Sequence, residues 1–293
     1  MAEKLTILSE PLQDNGPKAV AGSLLRGLPK IKADFNINPG DLSEVGEAVV
    51  VLSGIEALKS AIDWKSRGII KKLLAGPNTA GVPFQISSIP LSQQIDIYLH
   101  PCQWTINWWK SIDPDFNIPL YIWPAGVDTG YWQPPASELR TNNVLFYKKK
   151  CPEDLFQSCI RAVQNKGLNV SIIEYGAYNH DDYKIKLAQS DFAVFFSESE
   201  SQGIALFECW SCNVPALVWD RGYFEWLGYR DKASAAPYLS GLTGSRFRGE
   251  EELEISLTHM LDNLKIFQPR LWVLNNGSDE VSTSNLINII NSI

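Results

Sequence analysis

Long hydrophobic runs are missing from this 293-residue chain. Its apolar stretches, such as Ala48–Leu52, are too short to cross a bilayer, and only Leu5–Leu8 follows Met1, far short of a signal-peptide core. No transmembrane segment and a cytoplasmic location are therefore expected. Cysteine is scarce as well: five residues, an odd number, do not make a disulfide framework in a chain this long and point to a reducing compartment. There is no basic excess, since 26 Lys and Arg against 33 Asp and Glu leave a net charge of −7. Polyanions then find no general attraction, and no nucleic-acid partner is expected. The one dense basic cluster is Lys148–Lys150. Glycine and proline, 20 and 17 residues, stay near ordinary usage, which excludes collagen-like and low-complexity chains.

What is present is an alternation of short β-branched runs with helix-length amphipathic segments, the pattern of βαβ units. Leu5–Leu8, 47–52, 69–74, 94–99 and 120–123 read as strands of a first half. Ala75-Gly76-Pro77-Asn78 reads as the stop of the third of these. Residues 133–143 are polar and proline-bearing without an apolar period, so a domain boundary is placed there. A second series follows, with strands over 144–147, 170–174, 192–196 and 216–219, helices between them, and three further helices near the end. The expected fold is α/β, with two Rossmann-like domains facing a cleft. These are residues 1–135 and 136–293, the terminal helices being free to pack back on the first.

The most informative segment is Glu200-Ser-Gln-Gly-Ile-Ala-Leu-Phe-Glu208, which leaves the strand 192–196 and enters a helix. With 200–203 as loop and Ile204 onward as helix, both carboxylates can face one cleft. The backbone N–H groups of Gln202, Gly203 and Ile204 then form an anion site at a helix start. Gly203 lets a ligand approach the backbone where any side chain would hold it off. Phosphate on the amides and a sugar or ribose diol on each carboxylate is a coherent arrangement.

On these residues the chain resembles the retaining GT-B glycosyltransferases of family 4. Their signature is Glu-x7-Glu, a small-residue helix and a turn into the next strand, matched by Glu200–Glu208, Cys209–Cys212 and Val214-Pro215-Ala216-Leu217. Trp123-Pro124-Ala125-Gly126-Val127-Asp128 looks like the family's Gly-Val-Asp turn, and Asn15-Gly16 and Ala236-Pro237-Tyr238-Leu239 extend the likeness. The resemblance implies transfer of a hexose-type sugar from a nucleotide diphosphate sugar, UDP- or GDP-linked, to a glycan or other hydroxyl acceptor. It also implies retention at the anomeric carbon and no metal or cofactor. Glu208 would hold the ribose hydroxyls, and Glu200 would approach the sugar as the catalytic carboxylate. Gly16, Tyr178, Ser201, Gln202, Gly203 and Ile204 would line the donor site. The diphosphate would meet Lys148, Lys149 or Lys150; the family has an Arg there and a Lys about five residues on, whereas this chain has three adjacent lysines. A non-catalytic nucleotide- or sugar-binding module of the same fold is the alternative.

Other motifs have plainer readings. Cys209-Trp-Ser-Cys212 sits on a helix already begun, where a packed small-residue face is expected rather than a redox pair or half a zinc site. Asp113-Pro-Asp115 reads as a loop turn. His100 is expected to be structural, and most of the ten tryptophans to be packing residues, with Trp104, Trp108 and Trp109 the ones that could line an acceptor groove.

Overall fold

The computed structural model describes residues 4–10, 16–136 and 142–293. It divides into two compact units, one of residues 1–126 with 279–293 and one of residues 127–278. Residues 133–136 and 142–143, parts of the expected linker, lie inside the second unit; Ser137–Thr141 lie outside the described residues.

The first unit is an all-parallel sheet in the order β2-β1-β3-β4-β5-β6. Its elements are β1 (Leu5–Leu8), α1 (Gly16–Lys30), β2 (Phe35–Ile37), β3 (Ala48–Ser53), α2 (Ile55–Ser66), β4 (Lys72–Asn78), α3 (Pro83–Ser87), β5 (Ile97–His100), α4 (Gln103–Ile112) and β6 (Leu120–Ile122). All six residues of β3 are buried, as a central parallel strand covered on both faces requires. Two expectations are corrected. Helix α1 already begins at Gly16, where the sequence reads as a loop over residues 9–17 ending in Asn15-Gly16-Pro17, and Asn15 lies outside the described residues. β4 runs on through Gly76 and Pro77 to Asn78 rather than stopping there. Gly76 serves packing: a Cβ on it would lie 2.5 Å from the carbonyl oxygen of Leu99 in the adjacent β5.

The second unit repeats the plan. Its elements are β7 (Asn143–Lys148), α5 (Glu153–Asn165), β8 (Asn169–Glu174), α6 (His180–Ala188), β9 (Phe192–Phe196), α7 (Ile204–Ser211), β10 (Ala216–Trp219), β11 (Tyr223–Trp226), β12 (Tyr229–Lys232), β13 (Gly244–Phe247), α8 (Glu250–Asp262) and α9 (Pro269–Asn276). The parallel sheet has the order β13-β10-β9-β7-β8, and β11 and β12 form a separate antiparallel ribbon. The two residue parities of its strands feed two cores. Leu145, Tyr147, Phe195, Phe207 and Trp210 share one cluster, and Phe146, Phe156, Phe196, Trp219 and Phe247 share the other.

The last helix, α10 (Asp279–Asn291), belongs to the first unit and packs on α1. Arg26 donates through Nε and Nη2 to the fully buried Asp279 carboxylate at 2.7 and 3.1 Å. Trp123 Nε1 donates to the Ser282 carbonyl at 3.0 Å.

Candidate functional site

In the second unit β7 is followed by β8 on one side and by β9 on the other, so the strand order reverses between β7 and β9. The crevice outside the carboxyl ends at such a reversal is where open α/β sheets bind ligands. Two loops meet there. The amides of Lys149 and Lys150 both donate to the carbonyl of Phe196, the last residue of β9, at 2.9 and 3.2 Å.

The three lysines take different directions. Lys148 Nζ turns to Glu153 at 2.6 Å and lies 4.5 Å from the Phe156 ring centre, on the first turn of α5; the Glu153 hydrogen bond raises its pKa. Lys149 Nζ donates to both carboxylate oxygens of Glu200 at 2.9 and 3.1 Å and lies 4.8 Å from the Tyr175 ring centre. Lys150 pairs with Glu198 at 2.7 Å. Glu198 lies two residues before the Glu-x7-Glu signature, so no spacing in the sequence marks it.

Glu200 sits on the loop after β9, its amide donating to the Ser234 carbonyl at 3.0 Å. Ser201 is exposed, while Gln202 is buried. Gly203 caps α7 in the left-handed region, at φ 83° and ψ 63°, which glycine adopts without the steric cost of a Cβ. As a glycine it offers no side-chain cap to this helix start, where Ile204 is the first helical residue. Glu208 follows one turn into α7 and is buried.

Beside the carboxylates stands a cluster of phenols. Tyr147, the penultimate residue of β7, has its hydroxyl 3.3 Å from that of Tyr178, and its ring stacks on Phe195 at 4.9 Å. Tyr183 packs against both tyrosines and donates to the Ala205 carbonyl at 2.8 Å. Burial pushes the Tyr178 phenol up to about 12, and the charges of Glu208 and Glu200 push in the same direction. Tyr147 is raised further, by burial first, then by its hydrogen-bonded neighbour Tyr178 and by the charges of Glu200 and Glu208. Both carboxylates therefore bear on one pair of neutral hydroxyls, which can donate hydrogen bonds throughout the physiological range. Tyr131 donates to Asp181 at 2.5 Å, a bond that holds its phenol up at about 12. Of these tyrosines only Tyr178 was anticipated; Tyr147 precedes the lysines directly but reads as an ordinary strand residue.

The remaining motifs are placed as follows. Gly16 is exposed at the start of α1, in the first unit, whereas the other anticipated donor-site residues lie in the second. Cys209 and Cys212 are buried free thiols; Cys209 donates to the Val214 carbonyl at 3.3 Å, and burial pushes Cys212 up to about 12. Asp113 precedes a turn after α4 and Asp115 lies in it. His100 is buried against Trp109 and Tyr98, and burial pushes its imidazole down to about 3, so it is neutral. Trp108 and Trp109 are buried, which removes them as acceptor-stacking surfaces, while Trp104 is part-exposed.

No family model matches the chain, and no curated protein matches it by sequence. Solved structures do match in fold over nearly its whole length. Anabaena Alr3699/HepE in complex with UDP and glucose superposes with a TM-score of 0.62 at 11% identity, over 99% of this chain and 100% of that one. The lipopolysaccharide outer core galactosyltransferase WaaB gives 0.62 at 10% identity over 99% of each chain. The catalytic domain of starch synthase IV from Arabidopsis thaliana, bound to ADP and acarbose, gives 0.64 at 8% identity, again over 99% of each. Two parallel sheets of six and five strands, each between helices, thus form the α/β fold of the GT-B glycosyltransferases.

Proposed function

We propose that this chain is a retaining, metal-independent glycosyltransferase of the family 4 type, moving a hexose from a UDP- or GDP-sugar to a hydroxyl of a glycan or glycoconjugate in the cytoplasm. The observation that carries the reading is the Lys149–Glu200 pair at the strand reversal, with Glu208 one turn into the helix that the same loop starts. The nucleotide complexes of the structural relatives, UDP with glucose and ADP with acarbose, support a nucleotide-linked donor.

In this reading the ribose hydroxyls donate to Glu208 and the sugar lies at Glu200. The diphosphate lies on the amides of Gln202–Ile204 and on Lys149 and Lys150, with Ser201 and Tyr178 beside it. As the bond from the anomeric carbon to the phosphate oxygen breaks, negative charge grows on the diphosphate; fixed cations and aligned amides stabilise it without reorganising. The acceptor oxygen bonds to the anomeric carbon on the face the phosphate leaves. Its proton passes to the departing phosphate oxygen, giving the retained glycoside and a nucleoside diphosphate. Proton NMR of the product formed from UDP- and GDP-hexoses tests this reading. An α-linked donor gives an α-linked product, and an inverted product, or tight donor binding without turnover, contradicts it.

A further inference from the structure

We infer that Arg221 is a further phosphate-binding residue of this site, and that Glu198 competes with the donor's diphosphate for Arg221 and Lys150. The inference rests on the donor reading above. Arg221 follows β10, at the same carboxyl edge of the sheet as the lysines. Its neighbour Asp220, 3% exposed, fixes the turn: one carboxylate oxygen accepts the amides of Gly222 and Ala235 at 3.0 and 3.1 Å, and the other accepts Ser234 Oγ at 2.6 Å. Ser234 in turn holds the amide of Glu200 through its carbonyl. The turn that carries Arg221 is thus tied to the loop that carries the reacting-side carboxylate.

The guanidinium itself is pre-positioned. Arg221 Nε donates to the Tyr223 carbonyl at 3.1 Å, and the group lies 4.3 Å from the Tyr223 ring centre. Its side chain is only 18% exposed, unlike that of a solvated surface arginine. Its Nη2 reaches Glu198 Oε2 at 3.4 Å, the same oxygen that Lys150 Nζ holds at 2.7 Å. The second distance is that of a strong charge-assisted bond and the first is not. One carboxylate oxygen therefore serves two cations, and the planar fork of the arginine, suited to two oxygens of one phosphate, is under-used. Lys149, Lys150 and Arg221 pair with Glu198 and Glu200 across these three loops, and a bound anion with several oxygens would take over the pairings that Glu198 now divides between Lys150 and Arg221.

The test is a pair of substitutions with opposite expected signs, read by calorimetry on the full chain with UDP and UMP, and with GDP and GMP and ADP and AMP in parallel. Arg221→Gln lowers affinity for the diphosphate that the parent binds by about 10- to 100-fold, the range of a hydrogen bond to a charged group. Its affinity for the matching monophosphate changes much less. Glu198→Gln frees both cations and tightens the diphosphate several-fold. If Glu198→Gln weakens the diphosphate, or Arg221→Gln leaves the gap between diphosphate and monophosphate unchanged, the pair is a structural tie and the inference is overturned. A parent that binds no nucleoside diphosphate overturns the donor reading itself, which separates the two failures.

Discussion

Lys149 Nζ bridges both oxygens of the Glu200 carboxylate, joining the loop after the first strand of the second unit to the loop after its third. This ion pair sits at the reversal of strand order and sets the charge balance of the proposed donor site. Neutralising Glu200 therefore has two separable effects. Glu200→Gln keeps the shape but loses the charge that would face the developing positive charge on the sugar, so kcat falls by about 100-fold or more while nucleotide affinity holds or rises. Turnover beside calorimetric affinity on one variant checks it; a collapse of affinity with normal kcat exchanges the roles of Glu200 and Glu208.

Glu208 is the complementary case. A buried carboxylate accepting two ribose hydroxyls loses about 2–3 kcal/mol of donor binding when replaced by alanine. The expected sign of the Glu208→Ala experiment is a weaker complex with nucleoside diphosphate and nucleotide sugar alike. Unchanged affinity for both means that the ribose is held elsewhere.

Metal removal tests the source of the positive charge. With lysines and helix amides as the phosphate partners, EDTA leaves turnover intact. Activity abolished by EDTA and restored by Mg2+ or Mn2+ contradicts that assignment.

The thiols give a pH prediction. Burial pushes Cys151 up to about 11 and Cys212 to about 12, so both stay protonated near neutrality and only the thiolate reacts. Native-state reaction with a thiol reagent is accordingly slow at pH 7.5 and accelerates as pH rises toward 11, with Cys151, the part-exposed thiol, reacting first. Rapid modification of Cys209 or Cys212 in the folded protein at neutral pH contradicts the packing role.

In the first unit, Arg26→Ala leaves the Asp279 carboxylate buried without its bidentate partner. The expected loss is about 2–3 kcal/mol, measured by denaturant unfolding, with α10 loosening from α1. A loss below 0.5 kcal/mol, by order of magnitude, assigns the pair to the exposed class instead.

How far the sequence carries can be seen element by element. The run from β9 through Glu200 and Gly203 into α7 is legible because a buried five-residue strand, a left-handed glycine and an apolar helix follow one another with their ordinary signals. The β11–β12 ribbon was not anticipated. Its turn residues Leu227 and Gly228 both have positive φ, 45° and 82°, yet leucine carries none of the Asn or Asp signal that marks such turns. Strand β2 is three residues long and only part-buried at the sheet edge, too short for a period to register. Arg221 and Glu198 escaped because their significance lies in which loops share an edge of the sheet, and strand order is not written in local spacing.

The most direct test of the central claim is a calorimetric titration of the full chain with UDP-, GDP-, ADP- and dTDP-sugars, repeated on Glu208→Ala. Saturable binding of one of the four to the parent, weakened in the variant by the two to three kcal/mol argued above for the lost ribose contacts, is the predicted result. Absence of binding to all four, or a variant that binds as tightly as its parent, contradicts the claim that the second unit holds a nucleotide sugar at its strand reversal.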